Sequence, residues 1–475
     1  MLFNSLQFLI FFPVVTLLYF LFPHRFRWLL LLMASCVFYC AFYPPYILIL
    51  FFTIAVDYIA GIYIEKSTGR RRKQFLIVSI AANVGVLAVF KYFNFFLNNY
   101  NHVLHGLHIH GYDAGFWNIL LPIGLSFHTF QAMSYTIEVY KGNQKAERHL
   151  GIYALYVMFY PQLVAGPIER PQHLLPQFSE RHFFDLDNLW WGVRMMLWGL
   201  FKKAVIADRL DVYVNAIFNH TNAYHPGNVL LGAVFFAFQI YCDFSGYSDI
   251  AIGAARVMGF DLMSNFDRPY LSADIATFWR KWHISLSSWF RDYIYIPLGG
   301  NRVSPLRRNF NLLITFLLSG LWHGASWTFI AWGLIHGVYM MIYENGKRFF
   351  AVPNFGFISK AIGAIFTFSI VTVAWVFFRA ASIGEALHFL KYTISPSRFS
   401  YFEFPTINEV AFAGGWHLFV ALLFVFLLVS EEILGKNKGR FTGFILADSL
   451  WLGAVMFLVL TMGIYNQNAF IYFQF

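Results

Sequence analysis

Asn309–Tyr343 reads NFNLLITFLLSGLWHGASWTFIAWGLIHGVYMMIY and holds no Asp, Glu, Lys or Arg. About 20 apolar residues cross the hydrocarbon core of a bilayer, so the stretch is long enough to span it. His323 stands in its middle. A titratable ring at that depth is costly to hold unless it has a partner or work to do. Immediately upstream, Phe278–Arg302 reads FWRKWHISLSSWFRDYIYIPLGGNR, a polar, aromatic and basic stretch. A buried imidazole beside a basic, glycine-bearing loop points to chemistry inside a membrane, on a substrate that enters from the basic side.

The rest of the chain agrees with a membrane setting. Of 475 residues, 59% are hydrophobic and 12% charged, where a soluble domain carries about 25% charged residues. Strand-like alternation is absent, so helices rather than a barrel satisfy the backbone. The expected fold class is an all-α polytopic membrane protein. It has about ten to twelve membrane helices, with re-entrant or interfacial helices beside them. The net charge of +10 is not a nucleic-acid signal, because Lys and Arg gather in short loops and mark the cytoplasmic side. Cys36, Cys40 and Cys242 lie in or beside apolar segments and read as packing residues, neither a disulfide framework nor a zinc site. The N-terminal apolar run lacks a basic start and a cleavage site, and reads as a retained first helix.

Apolar segments are expected at Leu6–Phe22, Trp28–Tyr43 and Tyr46–Ile64, with Pro44-Pro45 turning the chain between the last two. EKSTGRRRK, Glu65–Lys73, is the densest basic loop; placing it in the cytoplasm faces the N-terminus outward. Gln74–Leu97 then runs outward, and Asn98–Trp117 reads as an outside loop carrying His102, His105, His108 and His110. Solvated histidines are the commoner reading there; metal binding is the alternative. Asn118–Tyr140, Asn188–Leu210, Asn228–Phe260, Ile358–Phe378, Leu418–Leu434 and Phe441–Tyr465 are further expected membrane segments. Asn228–Phe260 carries Gln239, Asp243, Ser245, Ser248, Asp249 and Arg256, and carboxylates at such depth line a cavity or pair with a cation. The chain reads as one membrane-embedded unit, residues 1–475. Its parts are N-terminal helices (1–150), a catalytic core (151–350) and C-terminal helices (351–475).

His283 and His323 are the candidate catalytic residues, 40 positions apart. A helix starting near Asn309 puts His323 about 21 Å along it, at about 1.5 Å per residue, so a charged donor needs a tunnel to reach the ring. A neutral imidazole takes a proton from a hydroxyl nucleophile and returns it to a leaving group, as acyl transfer from a thioester to an alcohol requires. Burial keeps it neutral, and Gly320 and Gly324 let backbone or substrate approach. A structural histidine bonding a neighbouring helix is the competing reading, and it is the preferred one for His336 and His128. In the loop Pro297–Arg308, PLGGNRVSPLRR, adjacent glycines and arginines suit phosphate binding. No GxSxG, Walker A or HExxH sequence is present.

These residues resemble the membrane-bound O-acyltransferase family, in its bacterial alginate O-acetyltransferase branch. FWRKWHISLSSWFRDYIYIPLGGNR and LLSGLWHGASWTFIAWGLIHG carry the resemblance. It is supported by AGPIERP (Ala165–Pro171), YCDFSGYSDIAIGAARVMGF (Tyr241–Phe260), NFDRPY (Asn265–Tyr270) and FIYFQF (Phe470–Phe475). The resemblance implies a helix bundle around a central funnel or tunnel. His323 matches the family's near-invariant histidine, and His283 a second position held by Asn, Asp or His. It implies acetyl-CoA as cytoplasmic donor, no metal, and delivery to an extracytoplasmic polysaccharide, directly or through a periplasmic acetyltransferase partner, in the bacterial inner membrane. Arg291, Asn301 and Arg302 are the candidate contacts to the donor's phosphates. Teichoic-acid D-alanylation, peptidoglycan and cellulose acetylation share these motifs. A transporter or flippase built on Asp243, Asp249 and Arg256, and a docking scaffold using the outside loops, are the readings from other classes.

Overall fold

The computed structural model describes residues 1–109, 115, 121–347, 356–394, 416–434 and 445–464. His110, Arg348, residues 395–415, the basic loop Lys436–Arg440 and the C-terminal FIYFQF lie outside them. Among the described residues the chain is helical and contains no strand. It divides into two compact units, Met1–Met196 with Ile250–Met263, and Leu197–Asp249 with Ser264–Phe475.

In the first unit, Ser5 caps Leu6–Leu21 by accepting from the Phe8 N–H at 3.2 Å. His24–Cys40 follows, and Pro44-Pro45 opens a single 3₁₀ turn into Ile47–Lys66. Asp57, buried on that helix, accepts from Ser79 Oγ (2.6 Å) and Asn83 Nδ2 (2.8 Å), both on Gly69–Leu87. This satisfies a carboxylate inside an apolar pair of helices. Among the described residues, four helices are long and apolar enough to cross a membrane: Pro44–Lys66, Gly69–Gly106, Pro226–Val257 and Phe357–Arg379. With Leu6–Leu21 as a shorter apolar helix, they make the chain a multi-pass membrane protein.

Two expectations need correction. Asn98–Trp117, expected as an outside loop, is helical as far as Gly106: Phe93–Gly106 continues Gly69–Leu87 through a π segment, Ala88–Tyr92. His102 and His105 therefore sit on a helix. The apolar stretch Asn309–Tyr343 is a hairpin of two helices, Pro305–His323 and Trp327–Gly346. The first starts at Pro305, favourable at a helix N-terminus, and ends at His323, where Gly324 turns extended. Ser326 then caps the second, its Oγ accepting from the Thr328 N–H at 3.3 Å.

The second unit also holds Asp243, Ser245 and Asp249 of Pro226–Val257. Lys203 pairs with Asp243 (2.7 Å) and Asp208 (2.8 Å), and Lys202 pairs with Asp249 while donating to Ser245 Oγ at 3.0 Å. Both lysines lie in a π segment, Phe201–Ala207, and Gly246 lets its backbone approach. The carboxylates expected to line a cavity or find a cation have found cations.

Candidate active site

His283 follows the short helix Ile275–Lys281, whose N-cap Asp274 accepts from the Thr277 N–H at 2.8 Å. It opens the next helix, Ile284–Phe290, in the left-handed region, with φ +43°. That conformation is uncommon outside glycine and has to be held by its surroundings. Asn265 holds it. Its carbonyl accepts from the Ile284 N–H at 2.9 Å, and its Oδ1 accepts from the Ser285 N–H (3.3 Å) and Ser285 Oγ (2.9 Å). The His283 ring is 1% exposed, enclosed by Phe244, Phe266 and Trp322, rather than among the charges that flank it in sequence.

His323 is the last residue of its helix, about 27 Å from the Pro305 end at about 1.5 Å per residue. Its ring is 4% exposed and meets Trp332 edge-on at 4.9 Å, Trp322 at 5.0 Å and Phe378 at 5.3 Å. Trp322 neighbours both histidines, at 6.1 Å from His283, so the fold brings the two candidates to one indole. His336 also meets Trp332 edge-on, at 4.8 Å, and is fully buried.

A cavity of about 270 Å³ lies beside these residues. Arg280 and Arg291 contribute cations to its wall, and Ser287, Ser288, Thr315 and Ser319 contribute hydroxyls. Its lining on Pro305–His323 is Leu312, Thr315, Phe316 and Ser319, positions three or four apart on one helical face. His323 comes next on that face, one turn past Ser319, and is not itself part of the lining.

The three candidate donor contacts separate. Arg291 lines the cavity, with its Nε donating to Asp292 at 2.8 Å. Asn301 is exposed and accepts from the hydroxyl of Tyr295, a cavity residue, at 2.6 Å. Arg302 is exposed on the loop and does not line the cavity. Gly299 and Gly300 turn this loop with φ of +108° and +53°. Asn311 ties it to the hairpin, donating to the carbonyls of Leu298 (3.1 Å) and Gly300 (3.4 Å). Arg308 is buried and donates to Asn345 at 2.6 Å, so it braces the foot of the hairpin. Arg280, Asn265 and Asn311 escaped the sequence reading. Arg280 carried a signal in WRKWH beside His283, and Asn265 in NFDRPY, but neither motif assigned a role.

Residues 148–383 match the profile of the membrane-bound O-acyltransferase family. The chain is 41% identical over 390 residues to the probable alginate O-acetylase AlgI of Azotobacter vinelandii, covering 81% of this chain and 76% of that one. It is 40% identical to the probable alginate O-acetylase AlgI of Pseudomonas aeruginosa, over 81% of this chain and 73% of the relative. It is 36% identical to the peptidoglycan O-acetyltransferase of Helicobacter pylori, over 76% and 72%. The chain belongs to the membrane-bound O-acyltransferase family, in its alginate O-acetylase-like branch, and is an O-acyltransferase.

Proposed function

We propose that the protein takes an acetyl group from cytoplasmic acetyl-CoA and supplies it, across the bacterial inner membrane, for O-acetylation of an extracytoplasmic alginate-like polysaccharide. Delivery is direct or through a periplasmic acetyltransferase partner. His323 acts as general base toward the acceptor hydroxyl, and His283 orients the thioester or carries the proton in transit. The hydroxyl oxygen bonds to the thioester carbon, the C–S bond breaks, and the hydroxyl proton ends on the CoA sulfur. Arg291 contacts the donor's phosphates, with Asn301 and Arg302 on the adjoining loop.

One observation carries this reading: a cavity with arginines in its wall whose hydroxyl-bearing helical face leads to the turn before His323. An extended thioester arm lying on that face points its reacting end at the imidazole. The experiment is acetyl-CoA turnover by purified protein in proteoliposomes. His323→Ala retaining the wild-type rate would sink the assignment. Peptidoglycan is the second acceptor to test, because the 36% identical relative from Helicobacter pylori bears that name. The transporter reading loses its support where Asp243 and Asp249 are held by Lys203 and Lys202.

A further inference from the structure

The bonds around His283 identify one more participant, which rests on the reading of His283 as a working imidazole. Asn265 is buried, precedes His283 by 18 residues and lies outside any helix. Its side-chain Oδ1 faces three groups: Ser285 N at 3.3 Å, Ser285 Oγ at 2.9 Å and His283 Nδ1 at 3.1 Å. Its Nδ2 donates to Ser248 Oγ, on Pro226–Val257, at 3.1 Å.

These contacts remove the usual ambiguity of both side chains. A backbone N–H can only donate, so the amide atom facing Ser285 N is the oxygen. Amide oxygen can only accept, so the His283 Nδ1 opposite it carries a proton. In the neutral ring the lone pair then resides on Nε2. The ring plane is fixed as well, with Phe244 edge-on at 4.6 Å and Trp322 edge-on at 6.1 Å. The same asparagine, through its main-chain oxygen and Ile284 N, secures the left-handed turn that aims the ring.

We propose that Asn265 is a positioning residue for the acyl transfer. Its Oδ1 selects the Nδ1–H tautomer of His283, so that Nε2 takes up and releases the proton in transit. When the ring is transiently protonated, the Nδ1–H to Oδ1 bond becomes charge-assisted and strengthens. A third group that orients the base is the recurring logic of such sites.

The test is steady-state CoA thiol release from acetyl-CoA, with alginate as acceptor, by full-length variants in proteoliposomes. Asn265→Leu removes the acceptor at similar size and is expected to lower kcat by about 100-fold, with KM for acetyl-CoA within about threefold. Asn265→Asp keeps an acceptor oxygen toward Nδ1 and Ser285 and should hold kcat within about tenfold of wild type. His283→Gly keeps the left-handed backbone while removing the ring. In that background Asn265→Leu should cost less than about threefold, because its partner is already gone. If Asn265→Leu does not give monodisperse protein, Asn265→Ala serves in the same cycle. An Asp variant as impaired as Leu, or a full second loss in the His283→Gly background, overturns the role of Asn265 alone. Wild-type kcat in His283→Gly itself overturns the reading beneath it.

Discussion

Gly320 and Gly333 face each other across the hairpin: a Cβ built on either glycine comes within 3.4 Å of the other's Cα. Each such Cβ also collides with a backbone carbonyl, Phe329 O for Gly320 and Phe316 O for Gly333. Small residues let membrane helices approach at backbone distance, and His323 hangs three residues beyond Gly320. Gly320→Ala or Gly333→Ala should destabilise by about 1–3 kcal/mol through overpacking, and Val by more. Thermal unfolding of the detergent-solubilised protein measures this. A parallel loss of acetyl transfer is expected, because the shifted helix carries the imidazole with it.

Ser319 separates donor binding from chemistry. Ser319→Phe fills the cavity end that precedes His323 and should raise KM for acetyl-CoA. His323→Ala should instead lower kcat by about 10²–10⁴-fold with little change in KM. Initial-rate kinetics on the two variants distinguish the effects. Equal loss of kcat in both would argue against the cavity as the donor's path.

Arg291 and Arg308 should differ in kind. Arg291→Ala leaves a surface position in the cavity wall and is expected to raise KM without lowering the melting temperature. Arg308→Ala removes the buried bond to Asn345 and should cost about 1–3 kcal/mol of stability. Comparing Tm and KM for both variants checks the assignment.

The buried pairs of the second unit predict a non-additive series. Lys202→Met strands Asp249 and should destabilise by about 3–5 kcal/mol, whereas Lys202→Met with Asp249→Leu should cost less than either single change. Unfolding of all three variants, with folding checked by size exclusion, reads the cycle.

His173 supplies a pH dependence outside the spans. Its Nδ1 bonds Glu169 at 2.8 Å, and Asp261 stands 3.4 Å from Nε2. The Glu169 bond raises the ring's pKa above its usual 6.5, against the opposing effect of partial burial. A raised folded pKa gives stability that is complete below the unfolded value and lost as pH rises through the folded one. The ring is 41% exposed, so the effect should stay below about 1 kcal/mol. Wild type should therefore lose slightly more Tm than His173→Gln between about pH 6 and about pH 9.

Helices were legible where apolar runs met clear stops. Leu6–Phe22 was expected and Leu6–Leu21 found, bounded by the Ser5 cap and by Pro23. The burial of His323 accords with the uncharged stretch around it. The hairpin break was harder, because Gly324–Ser326 interrupts the helix without interrupting hydrophobicity; only Ser326 as a capping residue marked it. The pairing of Lys202 and Lys203 with Asp249 and Asp243 spans some 40 residues of sequence, and no local pattern announces it. Asn265 was legible only as the first residue of NFDRPY, and Asn311 only as a polar position near the start of the uncharged stretch. Their importance comes from the backbone groups they meet only after folding.

The left-handed turn at position 283 restricts which side chains evolution can try there. Asparagine, aspartate and histidine are the non-glycine residues that visit this region most readily. They are also the three that the resemblance implies for this position across the branches. The left-handed backbone at 283 admits these side chains and turns away β-branched ones. Replacing His283 with valine would then cost about 1–3 kcal/mol in backbone strain, before any question of reactivity arose.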